Sequence, residues 1–347
     1  MGQGNAVLVT YPNGATMLVD CGSQETSKNG WAFKRATTYI NSVVGATGTI
    51  GCVVMSHGDN DHTWFIPSIP QAAQPSFVHY GGSIGHYPDH VQTYIKGLEQ
   101  TAKQTGCQVF RYPAKGYSTI EPDADFASET TAGEAHVIVL SANFGTSTNS
   151  RSIVLLIRYG DHSVILPGDA ESETEDAILS KVPKKMLTNA TVLMPGHHGA
   201  YESTSQAWAK ALKPGISAIS ASGANKGYAH PACETNALLL GTAATGAEKH
   251  TITCSDGKGQ GYELSDTTKA LLVTATNGDV RFVSDGTNFR LLASTLTAGL
   301  AVAEPDPLLA GLVSNAPWNR PLVRAPAPRV VQMPEEQPVA EEEPVPV

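Results

Sequence analysis

Four side chains that can bind metal ions lie within six residues of one another, at His57, Asp59, Asp61 and His62. They directly follow the short apolar run 53–55. Imidazole and carboxylate groups at the first, third, fifth and sixth positions of a tight loop can converge on two adjacent divalent ions. The alternative is a polar loop with two surface histidines. We interpret the loop as part of a metal centre, which indicates hydrolysis by an activated water.

Two later segments repeat the pattern of an apolar strand that ends in potential ligands beside glycine. Asp169 follows the predicted strand 163–166, and the pair His197-His198 follows the predicted strand 190–194. Alone, Gly-Asp is a common turn and paired histidines can be exposed. Strands that end in this way place their polar residues along one sheet edge. We therefore expect both segments to lie beside the first loop and to complete a dinuclear site.

The elements that position these segments alternate between strands and helices, which is typical of a layered α/β fold. Residues 63–135 give a weak pattern, with a loop expected at 80–90. Asn277-Gly278 is a strong hairpin turn between the last two strands. Predicted strands cover residues 6–11, 16–19, 50–55, 136–140, 153–159, 163–166, 190–194, 216–221, 271–276 and 280–284, and predicted helices cover 31–44, 91–105, 171–181, 203–212 and 234–244.

Length and charge limit the classes of protein to consider. The chain has 347 residues, a formal net charge of -9 and a pI near 5.6. This acidic balance opposes nonspecific binding to nucleic acid, which depends on clustered Lys and Arg, although an acidic hydrolase can still cleave a phosphodiester through its metals. No stretch reaches the roughly 18 to 20 apolar residues that span a bilayer, and the start lacks a signal sequence. We therefore predict a soluble, cytoplasmic protein.

The cysteines support the same compartment. They are scattered, odd in number and free of C-x-x-C spacing, which argues against a disulfide framework and favours a reducing environment. Cys21 and Cys52 lie in apolar, strand-like runs, where a small buried thiol is expected. The five are Cys21, Cys52, Cys107, Cys233 and Cys254.

The composition changes near Glu304. Residues 304–347 hold ten of the 22 prolines, three arginines and seven acidic residues. Such a segment cannot bury enough apolar surface to offset its ordering entropy. We predict a hydrolase domain over 1–291, a short helix or linker over 292–303, and a disordered tail over 304–347. The tail acts as a spacer or binds a protein partner through Trp318 or its prolines.

Seven short segments occur in an order and rough spacing that resemble one known family. They make the chain similar to metallo-β-lactamase-fold hydrolases and, more narrowly, to the soluble hydrolase domain of the ComEC family of DNA-uptake proteins. The resemblance covers residues 2 to about 291. The segments are residues 2–6, 18–22, 56–62, 149–152, 166–171, 197–200 and 228–231.

The resemblance implies a fold and a set of metal ligands. The fold is an α/β, αββα four-layer sandwich, with two similar halves packed face to face and the metals at one edge of the β-sandwich. The implied ligands are His57 and Asp59 on one ion, Asp61 and His62 on the other, Asp169 between them, and one of His197 and His198, with His198 favoured.

The chain departs from the broad superfamily pattern at two positions. Asp59 stands where the superfamily has a histidine, as it does in many ComEC-like sequences. Asn149 lies roughly where the superfamily has a separate histidine. Carboxylate and amide oxygens are harder ligands than imidazole nitrogen, so they move the metal preference of the site from zinc toward manganese or magnesium. We expect one or two divalent cations, with zinc first and manganese or magnesium as alternatives.

The function implied by the resemblance is metal-dependent hydrolysis of a phosphodiester, with DNA as the expected substrate and nuclease as the expected activity. Asp61 would bind metal and orient the water, and His230 is a candidate proton donor or a residue that lies behind the ligands. Asp20, Asn149 and His197 are expected behind the ligands or against the substrate.

Two alternatives belong to other classes. Because the same fold hosts several chemistries, the chain could instead hydrolyse a small molecule, either a cyclic nucleotide or a lactone or ester. The second alternative is a catalytically weak scaffold or binding module whose tail makes the contact.

Overall fold

The computed structural model of the chain describes residues 3–112, 135–222, 228–256 and 262–293. Its strands are β1 Ala6–Thr10, β2 Thr16–Cys21, β3 Cys52–Met55, β4 Phe77–Gly81, β5 Gln108–Tyr112, β6 Ala135–Ser141, β7 Val154–Tyr159, β8 His162–Leu166, β9 Val192–Leu193, β10 Ile216–Ile219, β11 Thr245–Ser255, β12 Tyr262–Lys269, β13 Leu271–Val273, β14 Val280–Ser284 and β15 Phe289–Ala293. Its helices are α1 Trp31–Val44, α2 Asn60–Thr63, α3 Asp89–Thr105, α4 Ser172–Lys181, α5 Lys184–Leu187, α6 Gln206–Leu212, α7 Cys233–Leu240 and α8 Thr274–Asn277, with 3-10 turns at Ile66–Ser68, Pro70–Ala72, Ile84–His86 and His197–Gly199.

Two larger sheets form the centre of the fold. Within the described residues, the first has the strand order β1-β2-β3-β4-β5 and the second has the order β13-β10-β9-β8-β7-β6. In the first sheet, β1 and β2 form the predicted antiparallel hairpin, and β2 to β5 run parallel. In the second, β6, β7 and β8 are antiparallel, whereas β8, β9, β10 and β13 are parallel. Parallel neighbours bring several strand ends to the same edge, which is where the polar motifs begin.

Apolar side chains on both faces of each sheet produce four layers. Met17 and Val54 of the first sheet pack with Val139 and Leu155 of the second in a shared core. The helix α1 buries Ala32, Ala36 and Ile40, which are four residues apart and therefore share one helix face. It packs with α3 on the outside of the first sheet, and α4, α6 and α7 cover the outside of the second. This is the predicted αββα sandwich.

Several element predictions are confirmed and some are wrong. The helix predicted over 31–44 has those bounds. The predicted loop at 80–90 overlaps β4, which is buried between β3 and β5. The predicted hairpin at Asn277-Gly278 is also wrong, because β13 pairs with β10 and β14 pairs with β15. Of the linker predicted over 292–303, residues 292 and 293 belong to β15. The rest of the linker and the tail predicted over 304–347 lie outside the described residues.

The expectation that no cysteines pair is corrected by one disulfide. Cys233 at the start of α7 is bonded to Cys254 in β11, and their Cα atoms are 4.8 Å apart. Sequence spacing did not show this pair because the contact depends on α7 packing beside β11. Cys21, Cys52 and Cys107 are free and buried, as expected for the first two. The argument from unpaired cysteines for a reducing compartment therefore no longer holds.

Among the residues that the structure covers, no helix combines the length and the apolar character needed to cross a membrane.

Candidate metal centre

The loop that follows β3 carries the first group of predicted ligands. His57 is buried, and Asp61 and His62 lie in the short helix α2, where they are also buried. Asp59 precedes this helix, and its side chain is 47% exposed. The structure therefore directs three of the four predicted ligands inward and leaves Asp59 at the rim.

Asp169 reaches the same place from the other sheet. It follows β8 through Gly168, which has a φ of 58° and lies against Ser56 and Ser152. A side chain at position 168 would place its Cβ 2.7 Å from the Ser56 Cβ, so this close approach requires glycine. The Asp169 backbone N–H donates to the Ser152 hydroxyl over 3.0 Å. These contacts fix the carboxylate at the edge shared by the two sheets.

The histidine pair has an unusual backbone. His197 and His198 have φ values of 46° and 54°, and Gly199 follows with 76°. Non-glycine residues seldom adopt this left-handed conformation, and such strain concentrates at functional sites. The result is that both imidazoles approach Asp169, with distances of 3.9 Å from His197 Nε2 and 3.8 Å from His198 Nε2 to the Asp169 Oδ2.

His57 presents one buried nitrogen toward two carboxylates. Its Nδ1 lies 3.1 Å from the Ser56 hydroxyl and 3.3 Å from the Ser152 hydroxyl. Its buried Nε2 has no hydrogen-bond partner among the described residues. This Nε2 is 3.7 Å from Asp59 Oδ2 and 3.8 Å from Asp169 Oδ2. Separations of this size suit donors that share one cation, because each bond to such an ion is about 2 Å long. The buried, unpartnered nitrogen thus fits a metal site.

His62 and His198 form the deeper part of the cluster. His62 Nδ1 lies 2.8 Å from Asp20 Oδ2, and its Nε2 lies 3.0 Å from Asp169 Oδ1. His198 Nδ1 donates to the Ser220 carbonyl over 2.7 Å, and its Nε2 lies 3.4 Å from Asp61 Oδ2. The two Nε2 atoms are 3.3 Å apart. In each histidine, therefore, Nδ1 is held from behind and Nε2 faces the carboxylates, as in metal-binding histidines.

The charges in this cluster perturb one another strongly. Burial raises the pKa of Asp61, but the His198 hydrogen bond and the His62 charge outweigh it and bring the pKa to about 2. Burial likewise opposes ionisation of Asp169, yet the nearby His62 and His198 hold its pKa well below its ordinary value. Burial lowers the pKa of His62, but Asp169 and Asp20 raise it well above the usual range. A buried carboxylate and imidazole cluster of this kind is typical of a functional site.

His230 and Asn149, two further predicted site residues, border the cluster. The His230 ring centroid is 5.1 Å from that of His197 and 6.3 Å from that of His198. Burial, with the adjacent His197 and His198, lowers the pKa of His230 to about 4, so it is uncharged at neutral pH. The Asn149 amide nitrogen lies 3.3 Å from His197 Nε2 and 3.5 Å from its Nδ1. Both residues therefore lie on the His197 side of the centre.

A family model decides the relationship of this chain. The model of the metallo-beta-lactamase superfamily matches residues 1–223. The chain belongs to this superfamily. Its sequence motifs, its αββα layers and its cluster of histidines and aspartates all agree with that membership. The superfamily comprises metal-dependent hydrolases and binds divalent metals.

Two curated relatives match about two thirds of the chain. The chain is 27% identical over 221 residues to Recombination protein 2 of Haemophilus influenzae. This alignment covers 63% of this chain and 23% of that protein. The chain is also 23% identical over 232 residues to Competence protein ComA of Neisseria gonorrhoeae. That alignment covers 66% of this chain and 27% of ComA. Both belong to the ComEC family, which confirms the resemblance drawn from the sequence. The chain thus spans about a quarter of the length of these relatives.

Solved structures show weaker likeness. CmlA, a diiron beta-hydroxylase from Streptomyces venezuelae, aligns with a TM-score of 0.39 and 17% identity over 69% of this chain and 52% of CmlA. Igni18, a metallo hydrolase from Ignicoccus hospitalis, aligns with a TM-score of 0.34 and 12% identity over 61% of this chain and 81% of Igni18.

Some groups that position this superfamily site were not identified as site residues from the sequence. The Ser220 carbonyl holds His198, and Glu202 Oε1 lies 3.0 Å from His197 Nδ1. A backbone carbonyl leaves no signal in a sequence, and Glu202 follows the histidine pair without a recognisable motif. The serines at 56 and 152 did lie in motif segments, but only the structure brings their hydroxyls to His57.

Proposed function

We propose that this protein is a metal-dependent phosphodiesterase that acts as a nuclease on DNA. The observation that carries the proposal is the convergence of two other chain segments, the loop 57–62 and the histidine pair, on Asp169. His57, His62 and His198 each place Nε2 between 3.0 and 3.8 Å from one of its carboxylate oxygens. Nitrogen and oxygen donors arranged in this way suit zinc, manganese or magnesium, with the harder oxygen donors favouring the last two.

The proposed ligands fall into two overlapping groups. His57 and Asp59 lie on the outer side of Asp169, and Asp61, His62 and His198 lie on the inner side. Asp169 faces both groups because its Oδ1 lies near His62 and its Oδ2 lies near His57. We therefore assign one cation to each group, with Asp169 between them.

The chain's own residues have separable roles in the proposed reaction. Bound divalent cations would supply water activation and charge stabilisation on the phosphate. Asp61 is fixed by His198 and stays ionised, so it can bind metal and orient the attacking water. His230 is uncharged at neutral pH, and in this proposal it hydrogen-bonds the leaving oxygen instead of acting as a cationic acid.

Two features support nucleic acid as the substrate. The relatives that the chain matches have names that refer to recombination and competence. In addition, Tyr201 is 77% exposed and Tyr228 is 42% exposed, on the loops that carry His198 and His230. Exposed aromatic rings can stack on successive unpaired bases. This favours single-stranded DNA as the form that reaches the metal centre.

Basic residues contribute little to this proposal. Arg158 lies near the end of β7, whereas the site lies before its start. Lys181 lies at the end of α4, about 14 Å from the site end of that helix. Arg151 directly precedes Ser152, which contacts His57. Phosphate neutralisation therefore depends mainly on the cations, with Arg151 as the nearest of these basic residues.

A depression beside Asp59 supports the alternative of a small substrate. Its volume is about 400 Å³, within the range of small-molecule sites. It is lined by Gln24, Gly58, Asp59, Asn60, His86, Tyr87 and Pro88. A cyclic dinucleotide is the substrate of this class that shares the phosphodiester chemistry. The two possibilities require a direct comparison.

The test combines metal analysis with hydrolysis assays on the purified protein. Single-stranded DNA, duplex DNA, a cyclic dinucleotide and bis-p-nitrophenyl phosphate are each supplied with Zn²⁺, Mn²⁺ or Mg²⁺. We expect bound metal and the fastest cleavage on single-stranded DNA. Cleavage of the cyclic dinucleotide alone would assign the small-molecule function. No bound metal and no hydrolysis under any condition would overturn the proposal.

Two variants test the residue assignment. Asp61→Ala and Asp169→Ala should abolish turnover and leave the circular dichroism spectrum of the folded chain unchanged. Asp161→Asn, in an exposed turn between β7 and β8, serves as the matched control and should retain activity. Activity that survives both site substitutions would show that the ligands are wrongly assigned even if the reaction class is right.

A further inference from the structure

His197 shares its construction with the three histidines already assigned to the metal centre. His57, His62 and His198 each have Nδ1 held by a hydroxyl, a carboxylate or a carbonyl, and each has Nε2 turned toward Asp169. His197 follows the same plan, because its Nδ1 lies 3.0 Å from Glu202 Oε1 and its Nε2 lies 3.9 Å from Asp169 Oδ2. A carboxylate behind Nδ1 fixes the ring and raises the basicity of Nε2, which is how metal-binding histidines are commonly supported.

His197 approaches Asp169 without contacting the deeper ligands. His57, His197 and His198 all face Asp169 Oδ2, at 3.8, 3.9 and 3.8 Å, whereas His62 contacts Oδ1. His198 also lies 3.4 Å from Asp61 Oδ2 and 3.3 Å from His62 Nε2, and among the described residues His197 has no such contact with either. The outer group otherwise contains one imidazole, His57, and the half-exposed Asp59. With Asp169, an added nitrogen donor on this side would bring the protein side chains available to the outer cation to four.

The contact with Asn149 does not occupy the nitrogen that this role requires. The amide nitrogen is almost equidistant from the two ring nitrogens, at 3.3 and 3.5 Å. A hydrogen-bond donor directed at the Nε2 lone pair would lie beyond Nε2, away from the ring, and would therefore be much farther from Nδ1 than from Nε2. Asn149 therefore packs against the imidazole without blocking the Nε2 lone pair.

We propose that His197 is a ligand of the outer cation, together with His57, Asp59 and Asp169, and that Glu202 orients it. The inference rests on the proposed metal-dependent function. It explains why two consecutive residues keep left-handed backbone conformations. The first histidine of the pair serves the outer cation and the second serves the inner cation. The cation class is a borderline or hard divalent ion, with Mn²⁺ as the probe.

The experiment counts Mn²⁺ ions bound to the full chain. Metal-free wild type, His197→Gly, His198→Gly and the control His136→Ala, an exposed residue of β6, are titrated by calorimetry. Glycine suits both positions because it accepts positive φ without strain. Electron paramagnetic resonance then separates coupled pairs of Mn²⁺ ions from isolated ions.

We expect two coupled ions in the wild type and in His136→Ala. His197→Gly should bind the inner ion as before and the outer ion at least about tenfold more weakly, with an isolated-ion spectrum at limiting Mn²⁺. Added imidazole should restore the second ion. His198→Gly should lose the inner ion instead.

The outcomes distinguish this inference from the proposed function. If His197→Gly binds two coupled ions with wild-type affinity, the inference is wrong while the metal-dependent function stands. If the wild type binds no ion, the proposed function itself fails. Should His197→Gly not fold, Glu202→Gln provides a second test, because it leaves the imidazole in place and should still weaken the outer ion alone. Unchanged affinity in Glu202→Gln would then overturn the inference.

Discussion

Asp20 and His62 form a buried pair behind the candidate metal centre. Asp20 Oδ2 lies 2.8 Å from His62 Nδ1, and neither side chain is more than 1% exposed. The Asp20 carboxylate also accepts hydrogen bonds from the Ser56 backbone N–H and hydroxyl, each over 2.8 Å. Because these contacts join β2, the loop after β3 and α2, the pair fixes the direction in which His62 presents Nε2.

The first prediction concerns this pair. Asp20→Asn keeps the shape of the side chain and tolerates the φ of 57° found there. It removes the charge that supports His62, so we expect the affinity for the inner cation to fall by about 10–100-fold. Titration of the metal-free protein with Mn²⁺ measures this change. Asp161→Asn should bind as the wild type does, and equal affinity in Asp20→Asn would show that the carboxylate charge has no role.

The second prediction compares two aspartates in the same loop. The Asp61 side chain is 6% exposed and lies 3.4 Å from His198, whereas the Asp59 side chain is 47% exposed. Asp61→Ala should remove the inner cation and abolish hydrolysis. Asp59→Ala should weaken only the outer cation, by about 10–100-fold, because a solvated carboxylate contributes less than a buried one. The number of bound metal ions and the single-turnover rate are measured for both variants. A larger loss of metal or of rate in Asp59→Ala than in Asp61→Ala would contradict the prediction.

Much of the site could be predicted because its ligands follow apolar strands. The loop after β3 follows a strand of the first sheet, Asp169 and the histidine pair follow the parallel neighbours β8 and β9 of the second, and the packing of the two sheets brings these ends together. The groups that hold the ligands were harder to predict. Ser220 acts through a backbone carbonyl, and Glu202 acts through a loop whose course depends on the strained pair before it.

The missed strands have a different cause. The loop was predicted over 80–90 because that segment is rich in glycine, histidine and tyrosine. Its first two residues instead end β4, because hydrogen bonding to β3 and β5 outweighs local propensity. At Asn277 the side chain accepts a hydrogen bond from the Val273 N–H over 2.9 Å and so closes α8 instead of a hairpin. Strand pairing decided the first case, and a local side-chain hydrogen bond decided the second.

The third prediction tests the close approach of β2 to α2. An alanine at Gly22 would place its Cβ against the Asn60 carbonyl, 2.5 Å from the Asp61 carbonyl carbon and 2.6 Å from the His62 nitrogen. These are backbone atoms that cannot rotate away. We expect Gly22→Ala to lower the free energy of unfolding by about 1–3 kcal/mol and to weaken metal binding, because α2 carries two ligands.

A second glycine provides the matched control for that substitution. Gly97 lies within α3, and a Cβ there would meet nothing within 4 Å. Gly97→Ala should therefore raise the free energy of unfolding by up to about 1 kcal/mol and leave metal affinity unchanged. Urea unfolding of the two variants and the wild type measures both effects. Similar stability changes in the two variants would contradict the role given to Gly22.

The last prediction concerns the pH dependence of stability through Glu175. This side chain of α4 is 1% exposed, and its oxygens accept hydrogen bonds from the Thr204 and Ser205 N–H groups over 2.5 and 2.8 Å. It thereby joins α4 to the segment between the histidine pair and α6. Burial raises the pKa of Glu175 from 4.5 to about 7, although these hydrogen bonds oppose the rise.

The sign of the effect follows from that direction. A carboxyl with a raised pKa in the folded state stabilises the protein fully below pH 4.5, and this contribution is lost as the pH rises through about 7. A difference of about 2.5 pKa units corresponds to about 3 kcal/mol. Glu175→Gln cannot ionise, so its stability relative to the wild type should improve by up to that amount between about pH 5 and about pH 8. Its lost hydrogen bond adds a cost that does not depend on pH.

Urea unfolding of both proteins at the two pH values measures the change, with the exposed Glu234→Gln as control. A constant difference between Glu175→Gln and the wild type would mean that the buried carboxyl ionises as readily as an exposed one.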